Sequence, residues 1–194
     1  DAGRWAGSSV DNCLSLAGAK DAPWRKPIVS GPLSGIKIID LSSVISGPVA
    51  TVLLADQGAD VIKVEAPQGD IVRRMGLGKN NLSPAFVSAN RGKRSICIDL
   101  KVPAGVAIVK KLIADADVFI QNFRPGAIER MGLSYDVLSV LNPKLLYVSV
   151  SGFGETGPYA HKRVYDPVIQ ALTGLPDVQA DSATSRPKMV RTIL

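Results

Sequence analysis

Histidine occurs once, at His161, and cysteine twice, at Cys13 and Cys97, in a chain of 194 residues. With no Cys/His cluster, no CxxC spacing and no disulfide framework, a zinc site has no ligand set and no metal is expected. Aromatic residues make up only 5%, and no basic stretch interleaves with stacking side chains, which argues against a nucleic-acid partner. No apolar run approaches the roughly 18 residues of a membrane span, so no membrane partner is expected. The first residues, DAGRWAGSSVDNCLSLAGAK, include no initiator Met and no basic segment leading an apolar core. A signal peptide is therefore not expected, and the cytoplasm is the default compartment. A chain that begins at Asp reads as cropped, processed or fragmentary.

What is present is an ordinary globular composition, 46% hydrophobic and 21% charged, with 18 Gly and 13 Pro. It excludes collagen-like, coiled-coil and disordered readings. A chain of this size buries about 70% of its unfolded surface, enough for a core without staples. The 23 basic and 17 acidic residues leave a net charge of +6. Such a surface attracts anions, and small phosphate-bearing molecules fit it as well as any polymer.

Residues 1–31, rich in Gly, Ala, Ser and Asp, read as an irregular arm or linker. From residue 32 onward short apolar runs alternate with helical patterns. Ile36–Leu41, Asp60–Glu65, Ser95–Asp99, Asp117–Asn122 and Leu145–Ser151 read as strands. Pro48–Gln57, with Pro in its first turn and Gly58 as a stop, reads as a helix, and so does Pro103–Ala114. Further helical signals lie around Gly126–Met131, Ser134–Leu141 and Asp166–Thr173, the last with Asp166 as N-cap. This alternation predicts a doubly wound, mainly parallel α/β sheet. Ligands bind such sheets at the carboxyl ends of the strands. Those ends are Ser42–Ser46, Ala66–Asp70, Leu100–Lys101, Phe123–Gly126 and Gly152–Gly157.

Gly152–Gly157 fits G-x-G-x-x-G after a strand, the dinucleotide pattern. Pro158 follows at once and no helix N-terminus is ready for a pyrophosphate, so a flexible glycine loop at a site mouth is the better reading. Arg91-Gly92-Lys93-Arg94 reads either as a solvated turn or as a clamp for phosphate or carboxylate. Arg124, Arg130, Lys162 and Arg163 add cations near strand ends or loops. His161, in a polar His-Lys-Arg loop without a nucleophile motif, reads as a surface residue.

The segments PLSGIKIIDLSSVISGPVATVLLADQGADVIKVEAPQGD, NRGKRSICIDLK, ADVFIQNFRPGAIERMGLSYDVLSVLNPKLLYVSVSGFGETGP and YDPVIQALTG occur in that order. Together they closely resemble the class III CoA-transferases, the formyl-CoA transferase-like group of the α-methylacyl-CoA racemase superfamily. The resemblance runs from about Pro32 to Leu194 and does not cover residues 1–31. It implies that residues 32–194 are the N-terminal part of a Rossmann-like CoA-binding domain, incomplete in this chain. It also implies an interlocked homodimer of the full-length protein. The implied activity moves CoA from an acyl-CoA onto a carboxylic acid through an aspartyl anhydride and an aspartyl thioester, a covalent route.

Carried over position by position, the resemblance puts CoA contacts at Ile98, Asp99, Leu100 and Lys101. Others fall at Asn122, Phe123 and Arg124, at Arg130, and at Arg163, Val164, Tyr165 and Asp166. Val44, Ile45 and Ser46 correspond to the loop lining the acyl site. A CoA-contacting arginine of the family is replaced here by Ala66, with Arg73 or Arg74 as substitute cations. Ile45 stands where oxalate-handling members have a glutamine. The nucleophilic aspartate of the family lies just beyond a segment like PKMVRTIL, hence beyond Leu194. Asp181, which comes before that segment, is not the nucleophile. Two alternative readings stand beside the transferase: an acyl-CoA racemase or epimerase, whose Gly-His-Asp pattern is Val164-Tyr165-Asp166 here, and a non-catalytic CoA-binding half of a larger protein.

Overall fold

A computed structural model describes residues 30–76, 78 and 82–190. All of the arm read at 1–31 except Ser30 and Gly31 lies outside the described residues. Five strands form one sheet: β1 (Lys37–Asp40), β2 (Asp60–Glu65), β3 (Arg94–Cys97), β4 (Val118–Gln121) and β5 (Leu146–Ser149). Their spatial order is β3-β2-β1-β4-β5. Every neighbouring pair is parallel, as the alternation of strands and helices predicts. The chain winds outward from β1 to β3, then returns to the other side of β1 for β4 and β5. That reversal makes β1/β4 the switch point of the sheet.

The helices are α1 (Ser46–Asp56), α2 (Pro84–Asn90), α3 (Pro103–Ala114), α4 (Ala127–Arg130), α5 (Tyr135–Leu141), α6 (Asp166–Thr173) and α7 (Leu175–Val178). A 3-10 turn at Ile71–Arg74 precedes α2. Period-two alternation distributes the strand side chains between two layers. Ile39, Val64 and Phe119 join Val109 and Ile113 of α3 and Leu138 of α5 on one face. Ile38, Val61 and Ile120 meet Ala55 of α1 on the other. Phe119 is fully buried, its ring 5.3 Å from that of Tyr147.

The structure corrects the sequence reading at the element ends. Strand β2 keeps the bounds read from the sequence, but the other four are shorter than read, so Ile98 and Asp99 lie past β3 and Asn122 past β4. Helix α1 starts two residues early, at Ser46, so Pro48 sits third in it, still inside the turn whose N–H groups lack helical partners. Asp166 is the first residue of α6 and not its N-cap, which is Tyr165. Pro167 follows it there, a position that needs no N–H donor. Helix α2, the 3-10 turn and α7 have no counterpart in the sequence reading. The first is a seven-residue helix capped by Ser83, whose Oγ accepts from the Phe86 N–H at 3.0 Å.

Phe119→Ala removes a fully buried ring from the larger core layer. It should cost about 3–5 kcal/mol of unfolding free energy, read as a lower urea midpoint at unchanged slope.

Candidate functional site at the carboxyl edge of the sheet

Two of the segments named from the sequence meet at the switch point. Ser43 donates its N–H to Asn122 Oδ1 (2.9 Å), and Asn122 Nδ2 donates to the Ser43 carbonyl (2.7 Å). This two-way bond ties the loop carrying Val44, Ile45 and Ser46 to the segment Asn122-Phe123-Arg124. Beneath it, buried Gln121 accepts the Phe123 N–H (2.7 Å) and donates to Ser149 Oγ (2.8 Å), linking the ends of β4 and β5. Arg130, at the end of α4, lies over Gly126 of the same loop: a Cβ there would be 3.1 Å from its Nη1. Hydrogen bonding and packing thus bring together Val44–Ser46, Asn122–Arg124 and Arg130.

The segment Ile98–Lys101 sits at the end of edge strand β3, two strands away from β1. Asp99 Oδ1 accepts the Lys101 N–H at 2.9 Å, forming the turn into α3. Gly105 lets that helix approach, because a Cβ there would lie 2.0 Å from the Asp99 carbonyl oxygen. Arg163–Asp166 is fastened at the opposite end of the sheet. Val164 packs on Gly152 so closely that a Cβ at 152 would lie 2.2 Å from it. Asp166 accepts from Gln170 Nε2 at 2.5 Å. The loop Gly152–Gly157 leads into turns and not into a helix, as the following proline predicts.

The basic cluster at 91–94 is an exposed turn whose cations are already ion-paired, with Lys93 alone drawn inward, and so it is not an open anion clamp. Lys93 is buried and donates to Asp40 Oδ2 (2.9 Å), the Pro48 carbonyl (2.8 Å) and Asn90 Oδ1 (3.0 Å). Arg91 pairs with Asp56, and Arg94 Nε donates to Asp60 at 3.0 Å. Lys93 is spent inside the protein, and Arg91 and Arg94 are paired with carboxylates at the surface. Lys101, Arg124 and Arg130, by contrast, are exposed and make no ion pair among the described residues. They retain their full donor capacity for a dissolved anion.

The strand end at Ala66–Asp70, also named from the sequence, borders a second feature. A shallow cleft of about 290 Å³ opens at the ends of β2 and β3, lined by Glu65–Gly69, Arg73, Arg74, Ser95 and Cys97. Arg73 is committed to Glu65 through two bonds of 2.6 Å and stacks on Phe86 at 3.8 Å. Arg74 is exposed, and its Nη2 reaches only the Gln68 carbonyl, at 3.3 Å. Of the two cations weighed against Ala66, Arg74 is the available one. Burial alone would raise the Glu65 carboxyl, but bonds from Arg73, Ser95 Oγ (2.8 Å) and the Asp70 N–H (3.1 Å) hold it down at about 2. Burial likewise pushes Asp40 up, yet Lys93 and Lys63 beside it, with the Ser42 and Thr51 hydroxyls, keep it below the ordinary carboxylate value.

An all-parallel sheet with tied loops at its switch point, and exposed cations without ion pairs beside them, defines a doubly wound α/β domain, the class in which ligands bind at the carboxyl edge of the sheet. The comparisons with known proteins make the class specific. The sequence pattern of CoA-transferase family III matches residues 33–194, and the chain belongs to that family. It is 48% identical over 169 residues to a succinate–glutarate CoA-transferase of Agrobacterium fabrum, covering 83% of this chain and 41% of that protein. It is 39% identical over 196 residues to a succinyl-CoA:glutarate CoA-transferase of Mus musculus, covering 99% and 42% respectively. Among solved structures, a CAIB/BAIF family protein from Brucella suis superimposes with a TM-score of 0.79 at 39% identity, over 84% of this chain and 44% of that one. The chain therefore spans less than half the length of these relatives.

The Glu65 carboxyl makes a pH prediction. Its folded value lies below the ordinary 4.5. The stability it contributes is thus complete above about 4.5 and disappears as the pH falls towards about 2. The full effect is about 3 kcal/mol. Glu65→Gln should be the less stable protein at pH 7, and its urea midpoint should converge on the wild-type value between pH 4.5 and 2.

Proposed function

We propose that the full-length protein is an acyl-CoA:carboxylate CoA-transferase, with short dicarboxylates as its acids. The observation that carries this reading is the pair of loops pinned to each other at the switch point. There the loop Val44–Ser46 and the segment Asn122–Arg124 are hydrogen-bonded to each other, in a chain of CoA-transferase family III. The choice of dicarboxylates rests on the relatives, whose names specify succinate and glutarate.

The carboxyl-edge cations Lys101, Arg124, Arg130 and Arg74 offer donors to the 3′-phosphate and pyrophosphate of CoA. The Val44–Ser46 loop faces the acyl end. An aspartate beyond Leu194 attacks the thioester carbonyl, the CoA thiolate leaves, and a mixed anhydride forms. The thiolate then attacks the aspartyl carbonyl, releasing the donor acid and leaving an aspartyl-CoA thioester. An acceptor carboxylate displaces the thiolate to form a second anhydride. Attack of the thiolate on its acyl carbonyl gives the new acyl-CoA and restores the aspartate. The two full-length chains form an interlocked homodimer, and the reaction takes place in the cytoplasm. Ile45, an apolar residue at the acyl loop, disfavours oxalate as the acid.

Incubation of the full-length protein with succinyl-CoA and glutarate, followed by mass spectrometry, should yield glutaryl-CoA with ping-pong kinetics. Failure to pass CoA to glutarate, malate or succinate sinks the reading.

Binding of CoA gives a second test. Arg130→Ala should weaken it by about 1.5–3 kcal/mol, the worth of a hydrogen bond to a charged group. The loss should be smaller for dephospho-CoA if Arg130 serves the 3′-phosphate. Unchanged calorimetric affinity in a folded variant removes Arg130 from the site.

A further inference from the structure

Val44 has φ +67°, a left-handed conformation that a β-branched residue adopts only under compulsion. The compulsion is visible. The Val44 N–H points at both carboxylate oxygens of Asp70, 3.3 and 3.2 Å away, across 26 residues of chain. Asp70 is paired with Lys63 at 3.1 Å, and both side chains are almost wholly buried, 1% and 2% exposed. Lys63 Nζ also donates to the Ser42 carbonyl at 2.9 Å. Asp70 accepts the Val72 N–H at 3.1 Å, which anchors the carboxylate to the 3-10 turn.

The loop after β1 is therefore gripped at consecutive residues. Asp40 accepts the Ser42 N–H (3.0 Å), Lys63 donates to the Ser42 carbonyl, Asn122 bonds both backbone groups of Ser43, and Asp70 accepts the Val44 N–H. Ile45 and Ser46 leave this grip directly into α1. A buried ion pair rarely adds net stability over an apolar pair of the same volume, so stability alone is a weak reason for one at this place. Aiming a loop is a better one.

We propose that Asp70, held by Lys63, is a positioning residue: it keeps Val44 in the left-handed conformation and so sets Ile45 and Ser46 against the acyl end of the thioester. The second half of this statement rests on the transferase reading above. The first half concerns the chain's own conformation. Neither residue touches the substrate. Each acts through the backbone of Val44.

The test uses the full-length enzyme. Asp70→Asn keeps the side-chain volume but loses the charge that holds the N–H and Lys63. The variant should fold, and its crystal structure should show Val44 relaxed to negative φ. In the succinyl-CoA:glutarate assay kcat should fall about 10–100-fold, with KM for succinyl-CoA and Kd for CoA within about twofold of wild type. A second substitution, Val44→Gly, gives a residue to which positive φ comes without strain. Added to Asp70→Asn, it should recover a large part of the lost kcat, which a purely structural role for Asp70 would not predict. Where Asp70→Asn alone does not fold, Lys63→Met with Asp70→Asn removes both charges and carries the same expectations. A folded variant that keeps Val44 at positive φ, or keeps wild-type kcat, overturns the proposal, as does a double variant with glycine no faster than Asp70→Asn. A wild-type enzyme that transfers no CoA, with the Val44 shift still present in the Asp70→Asn crystal, sinks the transferase reading and leaves the positioning of the loop standing.

Discussion

Asp40 and Lys63 are register partners on adjacent central strands, and both side chains point to the α1 side of a sheet covered on both faces. A charge in that layer persists only if it is paired and fully hydrogen-bonded. The rest of the carboxyl edge is arranged around this requirement. Lys93 reaches in from the turn before β3 to meet Asp40. Asp70 comes back from the 3-10 turn to meet Lys63. Ser42, Thr51 and Asn90 supply the remaining bonds, and among the described residues no buried side-chain polar atom is left without a partner. Through these links the loop after β1, the turn after β2 and the turn before β3 hold one another.

The same network separates two kinds of cation. Those that face inward, Lys63, Lys93 and Arg73, are consumed by Asp70, Asp40 and Glu65. Those at the rim, Lys101, Arg124, Arg130 and Arg74, have no carboxylate partner among the described residues and are exposed. The carboxyl edge therefore presents a rim of available donors over a floor already neutralised. The net charge of +6 understates this contrast, because it counts both kinds alike.

Much of the architecture was legible in one dimension. The five strands appear where short apolar runs alternate with helical spacing, and α3 and α6 keep the boundaries that their pattern and leading prolines predict. The strand ends chosen from pattern contain the loops that meet at the switch point. Element ends moved by one or two residues because the last ladder bonds depend on the neighbouring strand. Helix α2 was not legible because its seven residues, PAFVSAN, offer little more than one turn of periodicity.

Strand periodicity, turn chemistry and the motif resemblance were determined by the sequence alone, since each depends on residues close together in the chain. Which cations remain available was decided only by the tertiary structure. Arg91, Lys93 and Arg94 look like a ligand clamp until Asp56, Asp40 and Asp60, 34 to 53 residues earlier, fold against them. The warning sign was present in DVIKVE, where Lys63 and Glu65 interrupt a strand that parallel sheets bury on both faces. Their partners could not be named from that pattern. A charge buried in a low-dielectric layer takes whichever opposite charge the fold brings within hydrogen-bonding distance, and that distance is a property of packing, not of chain order.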